Sequence, residues 1–228
     1  MKKPVRVALI GARGRMGQTI AELAKSDPKI DIVARCDLGD AIDAAMKDCD
    51  VAIDFSNASA TDKVCRTASQ NQKALVIGTT GHSPVQRKVI ERTGKSVPIV
   101  FASNFCVGVN ALFALAHQAA EILGSEFKAE IVETHHTKKL DAPSGTAKTL
   151  GEILKQAGKS DVSIQSIREG DIVGEHTVAF VGPSERLELT HRAGSREIFA
   201  RGALRAAEWI VGKPAGVYSM QDVLGISK

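Results

Sequence analysis

The 228 residues carry a formal net charge of +4, with 25% charged and 43% hydrophobic side chains, as expected of a folded chain with one large or two small cores. The charge excess is too weak to argue for a nucleic-acid partner, and one Trp and one Tyr offer no platform for stacked bases; it suits small anionic ligands. The cysteines Cys36, Cys49, Cys65 and Cys106 form no close pair, which argues for reduced thiols rather than a disulfide framework or a zinc site.

Along the first hundred residues, short apolar runs alternate with helical patterns. The N-terminus MKKPVRVALIGARG has too short an apolar stretch for a signal peptide, and no run is expected to span a bilayer, so a cytoplasmic chain without a membrane partner is predicted. Strands are predicted at Val5 to Ile10, Ile30 to Arg35, Val51 to Phe55, Ala74 to Ile77 and Ile99 to Ala102. Helices are predicted at Met16 to Ala24, Ala58 to Ser69 and Pro84 to Thr93. This rhythm predicts an α/β fold with a Rossmann-type doubly wound parallel sheet, because parallel neighbours need crossover elements. Val107 to Leu123 follows as a long apolar helix with Leu112, Leu115, Ala116, Ala119 and Leu123 on one face. Strands at Lys128 to Thr134, Ser163 to Arg168, His176 to Val181 and Glu185 to Thr190 then predict an α+β second domain with a mixed or antiparallel sheet. A helix from Ser195 to Val211 precedes a tail with Tyr218, Met220 and Leu224. The expected division is 1–104, 105–204, and a segment 205–228 that returns to the first domain.

The first strand runs into Gly11, Ala12, Arg13, Gly14, Arg15, Met16 and Gly17. Glycines there permit a tight turn and close approach of backbone to a pyrophosphate, and the following helix start presents N–H groups to that anion. The spacing G-x-x-G-x-x-G is less common than G-x-G-x-x-G, so the context carries the reading: a strand before, a helix after, and Asp37 just past the second strand, placed for ribose hydroxyls. A carboxylate at 37 should repel the extra phosphate of NADP, while Arg13 could pair with it. NADH preferred and NADPH tolerated is therefore the expectation. Two further loops lie at the C-terminal edge of the predicted sheet: Gly78, Thr79, Thr80 and Gly81, and Ala102, Ser103, Asn104 and Phe105. They offer hydroxyls, an amide and backbone to the nicotinamide end.

The segment from Glu133 to Ala147, ETHHTKKLDAPSGTA, lies between a predicted strand and a predicted helix. His135 and His136 should face opposite ways in extended chain. Lys139 supplies positive charge and a transferable proton, and histidine donates or accepts near neutral pH. Ser144 is an N-cap candidate, with Gly145 and Thr146 opening a helix able to receive a carboxylate. No metal is expected, since no second cluster of ligands accompanies the histidine pair at a suitable spacing. His117 reads as a helix-face residue and His82 as a loop residue; His176 and His191 fall near strands edging the site and are given no role. Cys106 could be a thiol nucleophile, but reads as a small loop residue. A short-chain dehydrogenase is excluded by the single tyrosine, Tyr218, which has Asp222 rather than lysine four places on.

Taken together, GARGRMG at 11–17, DFSNASAT at 54–61, GTTG at 78–81, SNFCVGVN at 103–110, HHTKKLDAPSGTA at 135–147 and HRAGSREIFARGALRAAEW at 191–209 resemble the bacterial 4-hydroxy-tetrahydrodipicolinate reductases. The resemblance implies NADH- or NADPH-dependent reduction of a small cyclic dicarboxylate in lysine and diaminopimelate biosynthesis. It implies His135 as acid/base and Lys139 as proton donor. His136, Gly145 and Thr146 would be substrate contacts. Gly11, Ala12, Arg13, Gly14, Arg15, Met16, Asp37, Gly78, Thr79, Thr80, Ala102, Ser103, Asn104 and Phe105 would be cofactor contacts. It also implies a homotetramer assembled through the second domain's sheet. The stretch from Asp37 to Val51 is shorter than in many members, and no basic residue directly follows Asp37.

Overall fold

The apolar runs of the first hundred residues become parallel strands in the computed structural model, which describes residues 3–37 and 39–226. Two units divide the chain, Met1–Phe105 with Glu197–Lys228, and Cys106–Arg196. In the first unit the strands are β1 (Val5–Ile10), β2 (Ile30–Cys36), β3 (Val51–Asp54), β4 (Ala74–Ile77), β5 (Pro98–Phe101) and β10 (Gly216–Tyr218). They form one sheet in the order β10-β5-β4-β3-β1-β2, with every pairing parallel.

Alternation along these strands explains why helices cover both faces. Val7, Leu9, Val51, Ile53, Val76 and Val100 point to one side. There they pack with α1 (Arg15–Ala24), α7 (Glu197–Ile210) and α8 (Met220–Leu224). Ala8, Ile10, Ala52, Leu75, Ile77 and Ile99 point to the other, against α2 (Ile42–Lys47), α3 (Thr61–Asn71) and α4 (Pro84–Thr93). A strand buried on both faces reads as a continuous apolar run, as these do. The six-residue α2 was not anticipated; Ile42 and Met46, four apart, anchor it to the second face.

The expected limit of the second domain at residue 204 falls inside α7, which belongs wholly to the first unit. Its small apolar face is the reason: Ala200, Ala203, Ala206, Ala207 and Ile210 are fully buried in the first-unit core. A Cβ on Gly202 would lie 1.8 Å from the carbonyl oxygen of Phe105, so only glycine lets the helix approach so closely.

The second unit contains α5 (Val107–Leu123), β6 (Lys128–His135), α6 (Gly145–Gln156), β7 (Val162–Arg168), β8 (Glu175–Val181) and β9 (Arg186–Arg192). The sheet order is β7-β6-β8-β9. β6 and β7 are parallel across the α6 crossover, and the other pairings are antiparallel, so the sheet is mixed. The buried face of α5 is Val109, Leu112, Phe113, Ala116 and Ala120, rotated from the expected one, and Leu115 is 52% exposed. Val107–Glu126 is also long and apolar enough by composition to cross a membrane, contrary to the expectation from sequence. Its buried face packs with α6 and β9, while Leu115 and Ile122 stay exposed.

Candidate active site

In the first unit, β1 turns into α1 through a backbone that only glycine permits. Gly11 has φ +81°, and a Cβ there would meet the Phe55 carbonyl oxygen at 2.6 Å; one on Gly17 would meet the Gly11 carbonyl oxygen at 2.2 Å. α1 opens after Gly14 with no side-chain cap and no acidic residue in its first turn, which leaves its positive end to an anion. The Asp37 carboxylate accepts the Arg13 N–H at 3.1 Å, and the Arg13 guanidinium lies 3.5 Å away. The sequence-predicted acidic residue and loop arginine are thus neighbours.

A cavity of about 500 Å³ opens beside this turn. Gly14, Arg15, Met16, Gly78, Thr79, Thr80, Ser103, Asn104 and Phe105 line it, as do Phe55, Ser56 and Phe199, which were not anticipated. Gly11, Ala12, Arg13, Asp37 and Ala102 do not line it; the first four form the turn beside it, and Ala102 packs on the core. Gly78 has no room for a side chain, since a Cβ would sit 2.1 Å from the Phe55 ring. Asp54, buried at the end of β3, accepts from the Ser56 N–H at 2.9 Å and from its hydroxyl, so it shapes the rim. An uncapped helix start, a glycine turn, a carboxylate beside it and a cavity edged by aromatics and hydroxyls fit a dinucleotide. Phe199 was missed because it comes from α7, nearly a hundred residues after the other lining residues.

In the second unit, sheet register assembles the ionisable residues on one face. Glu133 of β6 lies opposite Ser166 of β7 and His176 of β8, and His176 lies opposite His191 of β9. His135 follows two residues along β6, opposite Arg168. Glu133 has no exposed side-chain surface. It is held by the Arg168 guanidinium at 2.9 and 3.1 Å, by the Ser144 N–H at 3.2 Å and by His135 Nδ1. Burial alone would raise its pKa, but hydrogen bonds from Arg168, Ser166 and His135 hold it down at about 2. Burial also lowers the pKa of His135, and Glu133 opposes that fall.

Ser144 caps α6, its hydroxyl oxygen accepting the Ala147 N–H at 3.2 Å while lying 3.2 Å from His176 Nε2. The first turn of α6, with Gly145 and Thr146, holds no acidic side chain. The ring of His176 meets that of His135 edge-on at 5.1 Å. Burial, with His135 adding repulsion, pushes its pKa down to about 4. Lys139 Nζ pairs with Asp141 at 2.8 Å. The His136 N–H donates to the Ile172 carbonyl oxygen, and its buried Nδ1 has no hydrogen-bond partner among the described residues. His135, His136, Lys139, Gly145 and Thr146 therefore surround one strand end and one helix start, joined by Glu133, Arg168 and His176, which sequence reasoning did not select. Period-two alternation was the available signal: Glu133 and His135 share a face of β6.

Glu133, His135 and His176 also bring ligand-type atoms within 4.8 Å of one another, a cluster the sequence spacing did not suggest. The Arg168 fork occupies both carboxylate oxygens of Glu133 and sets a cation against them, so this set fits a hydrogen-bond network better than a metal. Cys106 Sγ lies 3.4 Å from His191 Nε2, but burial raises the thiol pKa, which works against a nucleophilic role. His117 pairs with Glu121 on the surface of α5 at 3.4 Å. His82 is a loop residue as expected, and it is buried, its ring edge-on to Phe101 at 5.3 Å.

Family profiles described as dihydrodipicolinate reductase, N-terminus, and dihydrodipicolinate reductase, C-terminus, match residues 5–105 and 108–224. A 4-hydroxy-tetrahydrodipicolinate reductase from Akkermansia muciniphila is 46% identical, covering 98% of this chain and 99% of the relative. One from Geobacter metallireducens is 39% identical over 97% and 99%. Among solved structures, a dipicolinate-bound dihydrodipicolinate reductase from Paenisporosarcina sp. TG-14 superposes with a TM-score of 0.84 at 20% identity, covering 96% of this chain and 98% of that one.

Proposed function

This chain belongs to the dihydrodipicolinate reductase family, and we propose that it reduces 4-hydroxy-tetrahydrodipicolinate to tetrahydrodipicolinate with NADH or NADPH, in lysine and diaminopimelate biosynthesis. The observation that carries the reading is the link from His135 through Glu133 to the Ser144 N–H at the start of α6, whose first turn holds no acidic residue, with His136 and Lys139 in the segment between. That constellation suits a small dicarboxylate that must be held by its anionic groups and protonated.

A reduced nicotinamide dinucleotide, if bound by the first unit, would supply a hydride. Gly11 to Met16 and the start of α1 would hold its pyrophosphate, Asp37 its adenosine ribose, and Gly78 to Thr80 with Ser103 to Phe105 its nicotinamide end. In the second unit, the N–H groups of Gly145 and Thr146, the unpartnered Nδ1 of His136 and the Lys139 ammonium bind the substrate carboxylates. Lys139 exchanges Asp141 for the substrate, a cation moving from one carboxylate to another. The substrate would lose water, accept a hydride at C4, and take a proton on the carbon that receives the electron pair. His135 and Lys139 serve as the acid/base pair for those transfers.

Asp37 beside the dinucleotide turn favours NADH, and Arg13 next to it allows NADPH. We assign a homotetramer built on the open face of the second sheet. There the Arg186 pairs with Glu130 and Glu188, and the hydroxyl contact of Thr177 with Thr190, give a patterned surface for sheet-on-sheet docking. Cysteines that form no disulfide suit the cytoplasm. The test is a coupled assay in which dihydrodipicolinate synthase generates the substrate in situ. Substrate-dependent NADH oxidation that falls about 10²–10⁴-fold in Lys139→Ala, with NADH binding kept, is expected. A folded, NADH-binding chain with no oxidation would overturn the reading.

A further inference from the structure

We infer that Glu133, clamped by Arg168, is a positioning residue that makes Nε2 the working nitrogen of His135 and ties that ring to the start of α6. The inference rests on the reading of His135 as the acid/base group, and goes beyond it by naming the unit that orients it.

Glu133 is an unusual residue to bury. A carboxylate inside a protein is tolerated only when paired and fully hydrogen-bonded. Here the carboxylate accepts two bonds from the Arg168 guanidinium, one from the Ser144 N–H and one from His135 Nδ1. An anion at Nδ1 favours the tautomer with its proton on that nitrogen. Nε2 is then the atom that takes and gives protons. It faces Gly174, where a Cβ would approach to 3.0 Å, so glycine keeps that side of the ring open.

The same carboxylate binds more than the imidazole. Its Oε1 accepts the N–H of Ser144, the residue that caps α6. Arg168 in turn donates to the Asp141 carbonyl oxygen at 2.5 Å, at the end of the loop that carries Lys139. One buried ion pair thus touches the acid/base residue, the helix start and the lysine loop. A catalytic group acts well only when a second layer holds it in register.

The groups facing His135 define what a titration should report. Glu133 on its own strand raises its proton affinity; Lys139, Arg168 on β7 and His176 on β8 lower it or pack against it. Removing the Glu133 charge leaves only groups that oppose protonation.

The experiment is nitrogen NMR of imidazole-labelled full-length chain, with pH–rate profiles beside it. Wild type should show the Nδ1–H tautomer for His135 above its pKa. In Glu133→Gln the His135 pKa should fall by about one to three units. The limb of kcat that needs protonated His135 should move to lower pH by the same amount, with kcat down at least about tenfold and the KM for NADH unchanged. A purely structural role would lower stability and leave the limb in place. If Glu133→Gln fails to fold, wild type decides: an Nε2–H tautomer at His135 overturns the inference. So does a folded variant whose pKa and limb are both unchanged. A wild type with the Nδ1–H tautomer but no turnover supports the positioning and sinks the assigned reaction, so the two failures are distinguishable.

Discussion

His176 Nε2 lies 3.2 Å from Ser144 Oγ, and the same oxygen accepts the N–H of Ala147. One hydroxyl thus caps α6 and ties β8 to the start of that helix. Ser144→Ala removes the cap and strands a buried imidazole nitrogen. It should cost about 1–2 kcal/mol of stability and raise the substrate KM more than it changes the KM for NADH. Thermal unfolding and steady-state kinetics check this; an unchanged melting temperature would contradict it.

The buried network should make the fold acid-sensitive in two windows. The His176 pKa is pushed from 6.5 to about 4 by burial and His135, so the unfolded chain binds that proton first as pH falls. Its contribution is whole above pH 6.5 and is lost on the way down to about 4. Against burial, Arg168, Ser166 and His135 hold Glu133 at about 2 rather than 4.5, so its contribution is lost from 4.5 downward. Both have the same sign. The upper window is worth up to about 3 kcal/mol. Urea unfolding at pH 7 and pH 4.5 should show a smaller difference in His176→Gln than in wild type; equal differences would assign the acid loss elsewhere.

Gly202→Ala should be costly despite being a change that usually favours helix. The new Cβ would lie 1.8 Å from the Phe105 carbonyl oxygen, a backbone atom that cannot rotate away. Moving α7 off the sheet should cost about 1–3 kcal/mol or more. Arg205→Gly measured against Arg205→Ala, at an exposed position of the same helix, provides a reference for propensity alone, about 1 kcal/mol. A Gly202→Ala melting temperature at or above wild type would refute the close approach.

Cofactor choice should respond to Asp37 and Arg13 in opposite directions. Asp37→Ser removes the charge that repels a 2′-phosphate and should raise the NADPH-to-NADH ratio of kcat/KM by about tenfold or more. Arg13→Ala removes the neighbouring cation and should lower that ratio. Parallel kinetics with both cofactors measure it. Movement in the same direction for both variants would remove these two residues from cofactor selection.

The parallel sheet was legible because its strands are apolar on both sides and separated by helical patterns, a local property of composition and period. The glycine turn and the segment His135 to Ala147 were legible for the same reason: their chemistry lies in consecutive residues. α2 escaped notice because six residues with two buried positions make a weak period, and the rotation of α5 because its apolar residues run nearly all the way round.

What tertiary structure alone decided are relations between residues far apart in the chain. α7 joined the first unit because alanines and Gly202 fit closely against its sheet and Phe105, a matter of shape rather than hydrophobic pattern. Arg168 and His176 joined His135 because strand register set them beside β6, and register is fixed by hydrogen bonds between strands that no single segment encodes. By itself the sequence determined which residues could do the chemistry; the sheet determined which of them meet, and that a carboxylate buried at 133 sits where it can hold a histidine.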